Sequence, residues 1–136
     1  MLVTMTAAVI IAAACLCGIP QAAADDMPCF SDTSCYFLSP TGNLSCEMHT
    51  DNGPATAYCQ SNSAIQSVTM DADGSITPCA GNQCMGDPAG DTPTLAYGQT
   101  ARLDPFDCLS TTDGVTCTVS SGQGFTISRD GVVPVG

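Results

Sequence analysis

The sequence FDCLSTTDGVTCTVSSGQGFTISRDG, from Phe106 to Gly131, contains the clearest structural pattern in the chain. The apolar residues that occupy alternate positions within it are Val115, Cys117, Val119, Phe125 and Ile127. A period of two is typical of β-strands that bury only one face. Residues rich in Gly, Ser, Thr and Asp at 111–114 and 120–124 separate the alternating parts and favour turns. The stretch therefore predicts three antiparallel strands joined by two turns.

The register of these strands brings two cysteines together. Pairing the strands on either side of the turn at 111–114 places Cys108 opposite Cys117. Directly opposed residues of a non-hydrogen-bonded pair have Cα atoms about 4.5 Å apart, which is within reach of a disulfide. Across the second turn the same face continues, and we expect Val119 to lie opposite Phe125.

An earlier part of the chain has a similar arrangement. Residues 44–49 and 55–61 alternate in the same way on either side of a turn at 51–54. The register that pairs these two strands places Cys46 opposite Cys59. Two hairpins of this kind, each bridged by a cystine, suggest a weak internal repeat.

The remaining alternating runs are short and separated by turn signals. They lie at 35–38, 64–70, 75–77, 94–97, 99–103 and 132–135. Residues 78–93 contain three Pro, three Gly and two Asp, and we expect a surface loop there, pinned by a Cys79–Cys84 disulfide. No helix is expected after residue 24. The pattern predicts an all-β fold, a small disulfide-stapled antiparallel sandwich or barrel built of hairpins.

The beginning of the chain is typical of a secretory signal peptide. Residues 1–20 are apolar and carry no charged side chain, and the sequence QAAA then precedes Asp25. An apolar run that ends in Ala-x-Ala before acidic residues predicts cleavage after Ala24. We therefore divide the chain into a signal peptide at 1–24 and a secreted domain at 25–136.

Two alternatives for the first residues stay open. No Lys or Arg precedes the apolar run, and the run is near the lower length limit of a transmembrane span, so a retained anchor is one alternative. Lipidation of Cys15 or Cys17 is the other. The Ala-rich end of the run favours cleavage, which would leave no stable membrane anchor.

Cysteine usage agrees with export to the extracellular space or the cell envelope. Eight cysteines follow the signal peptide, and an even number in a small exported domain predicts four disulfides. Register and proximity give the pairs Cys29–Cys35, Cys46–Cys59, Cys79–Cys84 and Cys108–Cys117.

The charge of the chain limits its partners. There are 13 acidic residues and two basic ones, Arg102 and Arg129, which gives a net charge of −11. Such a chain does not bind nucleic acid through its phosphates. A partner that is steered by charge would be cationic, and we expect an extracellular or envelope protein. Solubility of a secreted protein would also explain the negative charge.

No catalytic, metal or cofactor site is evident. His49, the only histidine, falls on the polar face of its strand, and we interpret it as an exposed strand residue. The acidic pairs Asp87 with Asp91 and Asp104 with Asp107 are the candidate binding residues. They would serve a glycosidase only within a cleft lined by aromatic residues, and the chain has no Trp.

One acidic turn resembles a calcium loop but departs from its pattern. Asp71, Asp73 and Gly74 lack the required spacing, because the glycine comes too early and no Glu closes the loop. A β-turn explains the sequence equally well.

Four phrases together resemble a family of small, uncharacterised secreted proteins of mycobacteria and related actinobacteria, classed as a domain of unknown function. They are FLSPTGNLSC at 37–46, CMGD at 84–87, LAYG at 95–98, and GVTC followed by G-x-G-F-x-I-S-R within 114–129. The resemblance implies export and a disulfide-bonded β domain, with no assigned activity. Gln123 stands where the family pattern has a histidine, and this makes an activity less expected here.

These observations favour a non-catalytic binding or envelope-associated module that recognises a cationic extracellular protein. Recognition would use surface loops such as 78–93. The alternatives are a hydrolase that uses carboxylates and a purely structural envelope protein.

Overall fold

Ten strands in two antiparallel sheets form the computed structural model, which describes residues 26–136. The signal peptide predicted at 1–24 lies outside these residues. The first sheet contains β1 (Ser34–Leu38), β2 (Leu44–His49), β3 (Thr56–Ser61), β4 (Gln66–Asp71) and β5 (Ile76–Ala80). The second contains β6 (Thr100–Leu103), β7 (Phe106–Thr111), β8 (Gly114–Thr118), β9 (Gly124–Ser128) and β10 (Gly131–Val135). The all-β prediction is confirmed, in its sandwich form.

The two sheets repeat one architecture. Each is a meander in which every strand pairs with the next one along the chain. A disulfide joins the second and third strands of each sheet, β2 to β3 and β7 to β8. The repeat includes the sheet edges, because the first strand of each sheet carries one parallel bridge. Leu38 of β1 bridges Thr94, and Ala101 of β6 bridges Met27. The internal repeat suggested by the two hairpins therefore extends over the whole sandwich.

The inner faces of the sheets share one core. Its largest fully buried side chains include Phe37, Phe106, Phe125, Met48, Met70, Leu95 and Ile127. All of these residues except Leu95, which follows the bridge at Thr94, occupy alternate strand positions, as the period of two predicts. The sulfur atoms of Cys46, Cys59, Cys108 and Cys117 lie in the same core cluster.

Both hairpin registers that brought cysteines together are confirmed. Cys46 pairs with Cys59, and Cys108 pairs with Cys117, each with Cα atoms 4.1 Å apart. Disulfides also join Cys29 to Cys35 and Cys79 to Cys84, so the structure contains the four pairs given by register and proximity. Four disulfides are compatible with an extracytoplasmic location.

The register expected after the second turn is wrong by two residues. Phe125 pairs with Cys117 rather than with Val119. Strand β8 ends at Thr118, and Val119 belongs to the turn, where its N–H donates to the Gln123 carbonyl oxygen (3.0 Å) and its own carbonyl accepts from Gly122 (2.9 Å). A shift of two residues leaves each side chain on its expected face.

Two further expectations need correction. Strand β5 continues through Pro78 and Cys79 to Ala80, so the predicted loop begins later, and an edge strand tolerates the proline. A short 3₁₀ turn, Asn82–Cys84, follows it. Residues 94–97 do not form a strand, because only Thr94 makes a bridge. Within residues 26–136 no helix has the length and apolar character that a membrane span requires.

Candidate functional site

The outer face of the first sheet carries a row of three functional side chains. Strand register places Tyr36 of β1, Glu47 of β2 and Tyr58 of β3 side by side. Directly opposed residues of neighbouring strands have Cβ atoms about 5 Å apart, so their side chains are in reach of one another. Glu47 therefore lies between two tyrosines.

His49 belongs to the next row and connects to this one. Its Nδ1 lies 3.2 Å from Oγ of Ser34, and its Nε2 lies 3.6 Å from a carboxylate oxygen of Glu47. The His49 and Glu47 side chains are 40% and 52% exposed. The order serine, histidine, carboxylate is that of a catalytic triad, but 3.6 Å exceeds a hydrogen bond and both groups are well solvated.

Gln60 holds the loop segment, residues 84–92, over this face. Its Nε2 donates to the Gly86 carbonyl oxygen (2.8 Å), and its Oε1 accepts from the Gly86 N–H (2.8 Å), as a neighbouring strand would do. The Tyr58 hydroxyl donates to the Cys84 carbonyl oxygen (2.8 Å) and also lies 2.9 Å from Gln60 Oε1. Gln60 is only 3% exposed, so these bonds form in a protected site. The Cys79–Cys84 disulfide fixes the same segment to β5.

A cleft of about 160 Å³ opens between the loop segment and the sheet. Its lining includes Tyr36, Glu47, His49, Tyr58, Gln60 and Asp87, and we name it the tyrosine cleft. An open hollow adjoins it and shares Tyr36 and Ala89 with it. Phe30 lies in this hollow, stacked on Tyr36 with 5.3 Å between ring centroids, and is 76% exposed. Aromatic surface and carboxylates therefore meet at one place.

The structure separates the two predicted acidic pairs. Asp87 lines the tyrosine cleft and Asp91 lines the adjoining hollow. Asp104 and Asp107 lie at the second sheet instead, where Asp107 is 3.8 Å from Nε of Arg102. Only the first pair is near the cleft.

The strand residues that line the cleft were not predicted as site residues from the sequence. Alternation already places Tyr36, Glu47 and Tyr58 on the polar face of their strands, but only the register of three strands puts them in one row. Phe30 lies outside any strand, and no periodic signal marks it. The pairing of Gln60 with Gly86 joins a strand to an irregular segment, which strand patterns do not predict.

The turn that resembles a calcium loop has a local explanation. The Ser75 N–H donates to Oδ1 of Asp73 (2.9 Å), and this backbone hydrogen bond lowers the pKa of the Asp73 carboxyl below its ordinary value. The carboxylate thus closes the β4–β5 turn.

One cluster of metal-ligand atoms occurs in the described part of the chain. It comprises the sulfur atoms of Cys46, Cys59 and Cys117. All three sulfurs belong to disulfides and offer no thiolate.

A family model matches more than half of the chain. The model of a family of unknown function, DUF6636, matches residues 54–133. The matched range includes Tyr58 and Gln60, but it begins after Tyr36 and Glu47. No curated protein and no solved structure matches the chain significantly. The actinobacterial origin expected from the sequence phrases stays a prediction. The chain belongs to the DUF6636 family, whose function is unknown.

Proposed function

We propose that this domain is a non-catalytic binding module that acts outside the cytoplasm and recognises a cationic protein through the tyrosine cleft. The observation that carries the proposal is the position of Glu47, a half-exposed carboxylate between Tyr36 and Tyr58 under a clamped loop segment. Binding sites combine apolar and aromatic lining with a few placed polar groups, and this cleft has both.

The charge of the protein supports a cationic partner. A net charge of −11 creates a negative potential that accelerates the approach of a basic protein. Both arginines lie away from the tyrosine cleft. Arg102 is 3.1 Å from Asp26 in another hollow, and Arg129 lies in a groove beside Asp113. Neither cation competes for Glu47.

The hydrolase alternative gains less support. Glycosidases need two carboxylates on either side of the scissile bond, one of them with a raised pKa. Asp107, one of the predicted pair, lies on the second sheet, 3.8 Å from Nε of Arg102 and away from the tyrosine cleft. If the domain captures no partner, a purely structural envelope role is the remaining alternative.

Affinity capture tests the proposal. The protein, with its disulfides intact, is immobilised, exposed to extracellular and envelope extracts, and eluted with a salt gradient. One variant carries Glu47→Gln and Asp87→Asn in the cleft. A matched control carries Asp104→Asn and Asp113→Asn, which removes the same charge from other surfaces.

We expect a basic protein that elutes from the wild type and the control at moderate salt and is not retained by the cleft variant. Equal loss from both variants would show that net charge alone attracts the partner. An absence of any retained protein would reject the binding module and favour a structural role.

A further inference from the structure

We infer that the group taken into the tyrosine cleft is an arginine side chain of the partner, an inference that rests on the proposed function. Pockets for drug-sized ligands measure about 300–1,000 Å³. By itself the tyrosine cleft, at about 160 Å³, lies below that range and has room for one side chain, while the adjoining hollow measures about 410 Å³. The adjoining hollow leaves room for the backbone that carries it.

The floor of the cleft offers a carboxylate to a planar donor. Among residues 26–136, His49 is the one basic side chain within 4 Å of the Glu47 carboxylate, with its Nε2 at 3.6 Å, and the Glu47 side chain is 52% exposed. Free lone pairs of a carboxylate accept two parallel hydrogen bonds from a guanidinium group. The hydroxyl of Tyr58 is held by the Cys84 carbonyl oxygen, so the tyrosine beside Glu47 is fixed in place.

Aromatic rings in the adjoining hollow favour arginine over lysine. The rings of Phe30 and Tyr36 stack at an interplanar angle of 30°, and Phe30 stays largely exposed. A guanidinium group stacks on such a ring and is weakly hydrated, whereas an ammonium group is a compact and strongly hydrated charge. A cation that contacts the Phe30 ring in the hollow as well as Glu47 in the cleft therefore gains more if it is planar.

Two aspartates add negative charge to the cleft and the adjoining hollow. Asp87 and Asp91 line the cleft and the hollow, and neither makes an ion pair with a described residue. Their charges are available to a cation that enters. The cleft and the hollow therefore bring together aromatic rings, the half-exposed Glu47 carboxylate and two further carboxylates.

Peptide titration followed by NMR tests the inference. The probes are three Gly/Ser peptides of equal length with a central arginine, lysine or citrulline, added to the isotope-labelled protein at low salt. Citrulline keeps the planar shape but removes the charge. The variants are Glu47→Gln, Phe30→Ala and, as a matched control for charge, Asp113→Asn.

We expect the arginine peptide to shift the amide signals of β1–β3 and of residues 86–92, and to bind more tightly than the lysine peptide. Glu47→Gln weakens its binding at least about tenfold, as the loss of a charge-assisted contact does. Phe30→Ala weakens it about two- to fivefold, and Asp113→Asn leaves it within about twofold.

Equal binding of the arginine and lysine peptides, binding of citrulline as strong as that of arginine, or shifts outside the cleft would overturn the inference. The two proposals fail separately. If capture of a protein depends on Glu47 but no arginine peptide binds, the domain is a binding module whose cleft does not take an arginine side chain. If the arginine peptide binds in the cleft but no protein is captured, the cleft does take an arginine side chain and the proposal of a protein partner is rejected.

Discussion

The Sγ atoms of Cys59 and Cys117 lie 3.9 Å apart, so the disulfide of the first sheet touches the disulfide of the second. Cys108 extends this contact, because its Sγ lies 3.8 Å from Sδ of Met48. In immunoglobulin domains a tryptophan packs against the central disulfide. This chain has no Trp, and a second disulfide takes that place between the sheets.

Loss of a core disulfide is expected to cost more stability than loss of a peripheral one. Cys46→Ala with Cys59→Ala removes the loop constraint, worth about 3 kcal/mol for roughly 15 residues, and also leaves a cavity beside Cys117. We expect a decrease of about 4 kcal/mol or more in the free energy of unfolding, measured with urea. The control, Cys79→Ala with Cys84→Ala, removes a disulfide that closes a shorter loop outside the core and should cost about 2 kcal/mol. Equal costs would contradict a stabilising contact between the two core cystines.

The hairpin registers could be predicted because alternation and turn length constrain them together. A buried face excludes a shift by one residue, which would expose the apolar side chains, and the four-residue turns then favour Cys46 opposite Cys59 and Cys108 opposite Cys117. A shift by two residues keeps the faces, and the pattern alone could not place the turn that contains Val119. The tyrosine cleft could not be predicted, because it depends on an irregular segment held through side-chain hydrogen bonds.

Ser110→Ala is expected to stabilise the protein. The Ser110 hydroxyl is buried in the core and has no hydrogen-bond partner within residues 26–136. Because removing an unsatisfied hydroxyl avoids its desolvation penalty, we expect the free energy of unfolding to rise by about 1 kcal/mol. Ser61→Ala is the matched control. The buried Oγ of Ser61 accepts a hydrogen bond from the N–H of Ala64 (3.3 Å), and losing that bond should lower the free energy of unfolding by about 1 kcal/mol. Denaturation curves in urea measure both, and a destabilised Ser110→Ala protein would contradict the interpretation.

Gly124→Ala is expected to destabilise the second sheet. A Cβ at this position would collide with the carbonyl oxygen of Cys117 on the neighbouring strand, and backbone cannot move aside cheaply. Overpacking of this kind costs about 1–3 kcal/mol. Gly90→Ala serves as the control, since a Cβ there meets nothing within 4 Å and the residue lies in a loop. Thermal unfolding should show a lower Tm for the first variant and an unchanged Tm for the second. An unchanged Tm in Gly124→Ala would mean that β8 and β9 are farther apart.

Gln60→Ala is expected to release the loop segment from the sheet while the sandwich stays folded. The side chain makes both hydrogen bonds to Gly86, so its removal exposes the Gly86 amide to solvent. Amide hydrogen exchange should show faster exchange at Gly86 and unchanged protection in β7–β9. Gln83→Ala, which removes an exposed bond to the Ala80 carbonyl oxygen, is the control and should leave Gly86 protected. Continued protection of Gly86 in Gln60→Ala would show that the disulfide at Cys84 suffices to hold the segment.

The β4–β5 turn is expected to lose a stabilising contact in acid. The Ser75 N–H donates to the Asp73 carboxylate and lowers its pKa below the ordinary value of 3.8, so folding favours the ionised form. For a group whose pKa is lower in the folded state, the stabilisation is complete above the pKa of the unfolded chain and disappears as the pH falls through the folded value. Asp73→Ala should therefore have a lower Tm than the wild type at pH 7, and the two Tm values should converge well below the ordinary pKa. Asp32→Ala, which removes an exposed carboxylate, controls for net charge. A difference between Asp73→Ala and wild type that persists in strong acid would mean that the carboxylate acts through the shape of the turn rather than through its charge.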